Sequence, residues 1–240
     1  MTPNNIYRFL QNRILLAILS LFVSATVFGQ DKLESKETKT INPSDTIPYK
    51  FGLRIGIDIA GPIAMIVNGN HKLFKGNFDA RVYKKYFVSG EFGYEKFYSD
   101  TQSLKYTSDG AFIMLGGDYD MLGYTPGRND LMAFGVRYGF ATFNQTVNQY
   151  SIQNGYWNDD THNGNIEAQK ANAHWINVRM GLKVEVLHNF YLGLSSGVNF
   201  LFHDTNLENF DNLYIPGFGE NKNNKSFIFN YTLMYFLPFN

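Results

Sequence analysis

The 240-residue chain has no cysteine, only 7 prolines and no net charge, with 21 Lys and Arg against 21 Asp and Glu. Without cysteine there is no disulfide, no thiol nucleophile, no thiolate metal site and no lipid-modified N-terminal cysteine. The charge balance argues against a nucleic-acid binder, which shows a basic patch or a high isoelectric point. No apolar run reaches the ~20 residues that a membrane-spanning helix needs. What is present is 22 Phe, 16 Tyr and 22 Gly, with aromatics at 17% and charged residues at 18%. That mixture does not suit helical spans, which are apolar all round. The length fits one large domain or two small ones, and all-β barrels often reach it as one.

The N-terminus reads as an address. Arg8 and Arg13 precede the apolar run 14–28 (ILLAILSLFVSATVF), and Val27 and Gly29 are spaced like positions −3 and −1 of a cleavage site before Gln30. A basic start, a short apolar stretch and a small-residue end make residues 1–29 a cleaved signal peptide. The competing reading, a membrane anchor, is opposed by the short run and by the charged DKLESKETK that follows at once. Residues 30–48 are polar, without apolar period, and read as a disordered leader; a docking segment for a periplasmic partner is the alternative. Residues 49–240 form the remaining domain.

From Phe51 onward the dominant signal is strict alternation, the mark of a strand with two unlike faces. It occurs eight times, in 51–59, 74–82, 86–95, 110–119, 131–141, 174–186, 190–200 and 226–237. One face is apolar and ends in Tyr, Phe and Trp. The other is rich in Gly and holds Arg54, Lys75, Arg81, Arg137, Arg179 and Lys183 against Asp58, Asp79, Glu91, Glu95, Asp118 and Glu185, six of each sign. A soluble sandwich or barrel would place Lys, Glu, Thr and Gln on its wet face. Small residues among balanced charges instead suit the packed lumen of a narrow barrel, where buried charges must be paired. An uncharged apolar face suits lipid, and its aromatic ends suit interfacial girdles.

Connection lengths point the same way. Lys84-Lys85 and Leu187–Asn189 are tight, and 120–130 is the third inner connection; 60–72, 97–109, 144–172 and 201–225 are longer outer loops. Short periplasmic turns with long extracellular loops are expected of outer-membrane barrels. The sequence therefore predicts an all-β fold, a closed antiparallel up-and-down transmembrane β-barrel of eight strands. Ten strands result if 60–72 or 201–225 hides a hairpin, and a soluble periplasmic β-barrel or sandwich is the competing fold. The interior polar network is expected to include Arg54, Asp58, Asp79, Arg81, Glu91, Arg137, Arg179 and Glu185. Alternation from Tyr231 to Phe239 resembles the closing-strand signal read by the outer-membrane assembly machinery, although Pro238 and Asn240 depart from it.

The stretches YGFATFNQT (138–146), AHWINVRMGLKVEV (173–186) and FDNLYIPGF (210–218) resemble a Bacteroidota family of secreted proteins of unknown function, outer-membrane β-barrel-like in character. The resemblance covers roughly residues 47–238. It implies an outer-membrane barrel and carries over no catalytic residue.

A search for chemistry finds little. An eight-stranded barrel has no open lumen for diffusion. A lipid hydrolase working from the rim needs a nucleophilic Ser beside a His base. Of His71, His162, His174, His188 and His203, His174 is best placed, yet no Ser lies within two or three residues on its strand, and it reads as an interfacial aromatic. Asp159, Asp160 and His162, or Asp204, Glu208 and Asp211, lack the Gly and terminal Glu of a calcium loop and read as solvated charge. No phosphate loop, nucleotide fingerprint or zinc motif appears. No catalytic residue, cofactor or metal is expected, and the chain is not read as an enzyme. The outer loops offer Tyr156, Trp157, Tyr214 and Phe218 as candidate surface-binding residues for an extracellular protein or glycan; the same aromatics equally suit folding back to cap the rim, the preferred reading. The expectation is a monomeric outer-membrane barrel with a structural or surface-interaction role, in contact with outer-membrane lipid and the assembly machinery, not with nucleic acid. The alternative is an outer-membrane lipid-modifying enzyme acting at the barrel rim.

Overall fold

The fold follows from the pairing of the alternating segments, seen in a computed structural model that describes residues 51–67, 71–101, 104–122, 130–154, 160–205 and 211–239. Among these residues, β1 (Gly52–Asp58) is followed by helix α1 (Ala60–Val67), then β2 (His71–Tyr83), β3 (Tyr86–Asp100), β4 (Leu104–Asp120), β5 (Leu131–Asn154), β6 (Asp160–Leu187) and β7 (Phe190–Asp204). A short hairpin, β8 (Tyr214–Ile215) and β9 (Gly219–Glu220), precedes β10 (Lys225–Pro238). Eight of the strands form a closed antiparallel up-and-down barrel in which β10 pairs with both β7 and β1. The predicted signal peptide and leader lie outside the described residues, as do Tyr156, Trp157 and part of 120–130.

Turns separate the two ends of the barrel. Tyr83 pairs with Tyr86 and Leu187 with Phe190, leaving two-residue turns at Lys84-Lys85 and His188-Asn189. Lys84 (φ 31°) and Asn189 (φ 65°) take the left-handed conformation that such turns use. This is the turn end; the opposite, with the long connections, is the loop end.

The loop end departs from expectation. The segments 97–109 and 144–172, expected as loops, are mostly strand. β3 runs to Asp100 and β4 starts at Leu104, while β5 and β6 continue to the pair Asn154↔Asp160. From Asn144↔Lys170 outward this hairpin adds roughly 30 Å at ~3.3 Å per residue. Ladder hydrogen bonds join backbone to backbone and need no apolar alternation. The Asn, Gln and Thr here pair as well as the apolar segments do, with register shifts between Gln145 and Tyr150. Neither route to ten strands is taken: 60–67 is helical, and the hairpin hidden in 201–225 stays outside the barrel sheet.

β1 stops where it does because of Asp58. Its carboxylate accepts the backbone N–H groups of Ala60 (2.9 Å) and Gly61 (3.2 Å), capping α1. Its other oxygen pairs with Lys75 Nζ in the lumen at 3.0 Å. One side chain thus ends the strand, starts the helix and serves the interior.

Candidate functional site

The lumen divides into two halves. Toward the turn end it is ionic. Glu91 Oε1 accepts Arg137 Nη1 at 2.7 Å and also Arg179 Nη1, while Arg137 Nη2 reaches Asp118 Oδ2 at 3.0 Å. Beside this cluster Asp79 accepts Arg54 Nε at 2.7 Å and Lys183 Nζ at 2.5 Å. The Arg54 guanidinium lies between the rings of Phe87 (5.0 Å) and Tyr191 (5.3 Å). Except for the partly exposed Lys183, these charges are buried, so each must find its counter-charge in the lumen. Strand glycines make the space. A Cβ on Gly135 would lie 1.9 Å from Asp118 Oδ1, and one on Gly139 would lie 2.1 Å from the Trp175 indole. A cavity of only about 30 Å³ lies among Asn77, Glu91, Arg137 and Lys183, roughly the volume share of one water.

Toward the loop end the lumen is apolar and filled by the chain itself. The segment 213–219 folds inward as a plug. Ile215 and Phe218 are fully buried and pack with Phe112, Met114, Phe143 and Trp175. Phe218 meets the Trp175 ring edge-on at 5.8 Å. Polar anchors orient the plug. Glu95 accepts the Tyr214 hydroxyl (2.5 Å) and the Gly217 N–H (2.7 Å), and its Oε1 lies 2.5 Å from His71 Nε2. Tyr106 donates its hydroxyl to the Tyr214 carbonyl (3.2 Å) and accepts the Tyr214 N–H (3.3 Å). Asn177 donates to Asn199, which donates to the Phe218 carbonyl at 2.8 Å. Burial pushes the Tyr106 phenol up to about 12, and burial together with the Glu95 carboxylate raises that of Tyr214. Between the plug and β10 remains a cavity of about 590 Å³.

A family model described as a domain of unknown function, DUF6048, matches residues 11–240. The chain belongs to that family. No curated protein matches it. Among solved structures, the DUF6048 chain is similar to Acinetobacter baumannii CarO2, at 10% identity over 78% of this chain and 98% of that one, with a TM-score of 0.38. It is also similar to Acinetobacter baumannii CarO, at 11% identity over 79% and 98%, with a TM-score of 0.36. The family match begins well before the span near residue 47 where the sequence resemblance started.

Within this DUF6048 barrel, six of the eight residues expected in the interior network (Arg54, Asp58, Asp79, Glu91, Arg137 and Arg179) lie in lumen ion pairs, together with Lys75, Asp118 and Lys183. Arg81 and Glu185 lie nearer the turn end, where Glu185 also hydrogen-bonds Tyr191, the ring over which Arg54 lies. Arg81 lies over the Phe87 ring and donates to the Lys84 carbonyl, and Glu185 accepts the Asn189 N–H at 2.9 Å. Both are needed there because tight turns leave backbone groups to satisfy. Two candidate surface residues are corrected. Phe218 is fully buried, and Tyr214 is half-buried with its ring stacked on Phe97 at 4.1 Å. Apolar aromatics gain more in the dry mouth of the barrel than in water. The sequence reading missed the Glu95–His71–Tyr214 anchor. The signal was an inward Glu95 at the loop end without a nearby cation on its own strand face.

His174 stands on the outer surface of the loop end. Its Nδ1 lies 2.6 Å from the Tyr138 hydroxyl, and its ring lies near Phe140, Phe202 and His203. Among the described residues neither Ser nor a carboxylate hydrogen-bonds to it. Phenol and imidazole can hold a proton between them, but a hydrolase also needs a nucleophile in reach of the base.

Proposed function

We propose that this chain is an integral outer-membrane β-barrel, closed to diffusion, non-catalytic, with a structural or surface-interaction role. The carrying observation is that the barrel is inside-out. Its charges are indoors and paired, while Ile55, Ile57, Phe92, Ile113, Phe134, Val136, Ile176 and Met180 stand exposed outside. No outward position of the belt is charged. The first outward charges, Lys72, Lys96, Asp109, Lys170 and Lys225, lie beyond it at the loop end. On β10, Phe227 to Leu237 stay apolar over ten residue steps; at ~3.3 Å each and a tilt of ~40° this rises roughly 25 Å, the height of an outer-membrane apolar belt. Tyr83, Tyr86, Tyr119 and Tyr235 border it at the turn end, and Tyr94 and Tyr138 at the loop end, as interfacial girdles do. The turn end then faces the periplasm and the β5–β6 hairpin the exterior. Export by the signal peptide at 1–29, folding by the assembly machinery and contact with an extracellular protein or glycan belong to the same proposal.

The test is migration on a denaturing gel with and without boiling. The folded barrel runs anomalously until boiled and fractionates with outer membranes. A chain recovered in the soluble periplasm defeats the reading. Planar-bilayer recordings are expected to show no conductance steps, because network and plug fill the lumen.

A further inference from the structure

The barrel wall is interrupted. β1 pairs with β10 only as far as Asp58↔Thr232, with a last bond from the Ile59 N–H to the Tyr231 carbonyl. β1 pairs with β2 only as far as Ile57↔Gly76. Above these rungs, residues 226–230 of β10 have β7 on one side and, among the described residues, no strand on the other, and residues 71–75 of β2 have only β3. The eight residues of α1, none charged, take the place of the missing strand and contact β2 far more than β10.

The 590 Å³ cavity runs around the free edge of β10. Its lining includes Val198, Phe227 and Phe229, which point outward, and also Ser226, Ile228 and Asn230, which point inward. The cavity thus meets residues from both faces of the wall. Its outer mouth is flanked by Phe227 and Phe229, 71% and 58% exposed, and continues the apolar belt. Its inner end is formed by Leu73, Phe112 and Met114 beneath the plug. Lys222 and Lys225 stand at its upper rim. The volume falls in the ~300–1,000 Å³ range of ligand sites.

We propose that this interruption is a lateral portal that admits one acyl chain of a phosphate-bearing membrane lipid from the outer leaflet into the cavity. Leu73, Phe112, Met114, Phe227, Ile228 and Phe229 form an apolar track from the belt inward that takes hydrocarbon, while the polar groups along it are already engaged, Lys75 with Asp58 and Asn230, and Glu95 with His71, Tyr214 and Gly217. At the rim Lys225 suits the phosphate, beside Lys222, which already holds the Glu220 carboxylate at 3.1 Å. The closed wall on the β3–β7 side offers no such path, because each of those strands is paired on both sides beyond the belt. The proposal rests on the membrane-barrel reading above.

The experiment uses the full-length protein folded into vesicles of phosphatidylglycerol carrying a diazirine midway along one acyl chain, irradiated and mapped by mass spectrometry. Belt positions such as Ile113 and Val136 are labelled in any membrane-embedded barrel. The portal adds adducts on Leu73, Phe112 and Met114, which alternate to the inside. In Ile228→Trp, which fills the portal, inner adducts fall by about tenfold, equivalent to about 1.4 kcal/mol of lost affinity, while belt adducts stay. Belt adducts without inner ones in the unmodified protein overturn the portal and leave the barrel reading standing. No belt adducts overturn both. Inner labelling by a diazirine fatty acid but not by the phospholipid overturns the membrane-lipid assignment.

Discussion

The two halves of the lumen solve the same problem differently. Near the turn end, eight short-spaced strands bring their inward side chains together, and the space is closed by ions that can only satisfy one another. Near the loop end, β1 has stopped and the ring is incomplete, so wall side chains alone do not fill it. The chain returns and inserts Ile215 and Phe218. The ionic half is held by pairs whose members come from different strands, and loss of one member strands another. The apolar half is held by a segment that forms no part of the barrel sheet. One barrel thus fills its lumen by ion pairs between wall strands at one end and by an inserted segment at the other.

The largest effect is expected from Glu91→Leu in the ionic half. It leaves Arg179 without its acceptor and Arg137 with Asp118 alone; breaking a buried pair costs about 3–5 kcal/mol, so the urea midpoint of the vesicle-folded barrel should fall. An unchanged midpoint would mean that the network contributes nothing to the wall. Tyr214→Phe removes one donor to Glu95, a charge-assisted bond worth about 1.5–3 kcal/mol. Here the effect should be confined to the plug, read as faster hydrogen exchange at Gly217 and Phe218 with the barrel midpoint unmoved. A midpoint that drops together with exchange would erase the distinction between the halves.

Smaller effects sharpen the boundary between them. Gly139→Ala pushes a methyl against the Trp175 indole, on which Phe218 packs edge-on. Overpacking of this kind costs about 1–3 kcal/mol and should shift Trp175 emission to the red in a Trp157→Phe background. Retained emission would show that the indole can swing aside. Alkaline pH acts on the plug through phenols. Tyr106 is raised to about 12 from its ordinary value of 10.0. The folded state therefore holds the proton more tightly than the unfolded one, and this contribution is intact below about pH 10 and lost as the pH climbs toward about 12. Tyrosinate absorbance and plug amide exchange should rise together in that window, and later for Tyr214, whose phenol is raised by burial and by Glu95. Plug release below pH 9 would refute the phenol anchor.

Much of the wall was legible in order of residues. Period two is local: Ile55 and Ile57 declare their face without reference to any other strand, and the same holds for Phe134 and Val136. The loop-end extensions were not legible, since Asn144–Asn154 carries no apolar alternation and only a paired neighbour makes it strand. Nor was α1, because Ala60–Val67 reads equally as an apolar connection until Asp58 is seen to cap it. Phe218 could be read as capping or as surface contact, and only the closeness of Trp175 and Phe112 separates the two.

By itself the sequence determined the number of alternating segments, the face on which charge would lie, and its six-against-six balance, because each of these depends on neighbours one or two residues away. Which charge meets which was decided by the tertiary structure. Arg179 finds Glu91 across 88 positions, Lys183 finds Asp79 across 104, and Arg137 finds Glu91 across 46. The gap in the wall and the segment that fills the mouth have the same origin. They arise where strands of unequal length close a ring, and no stretch of local pattern contains that mismatch.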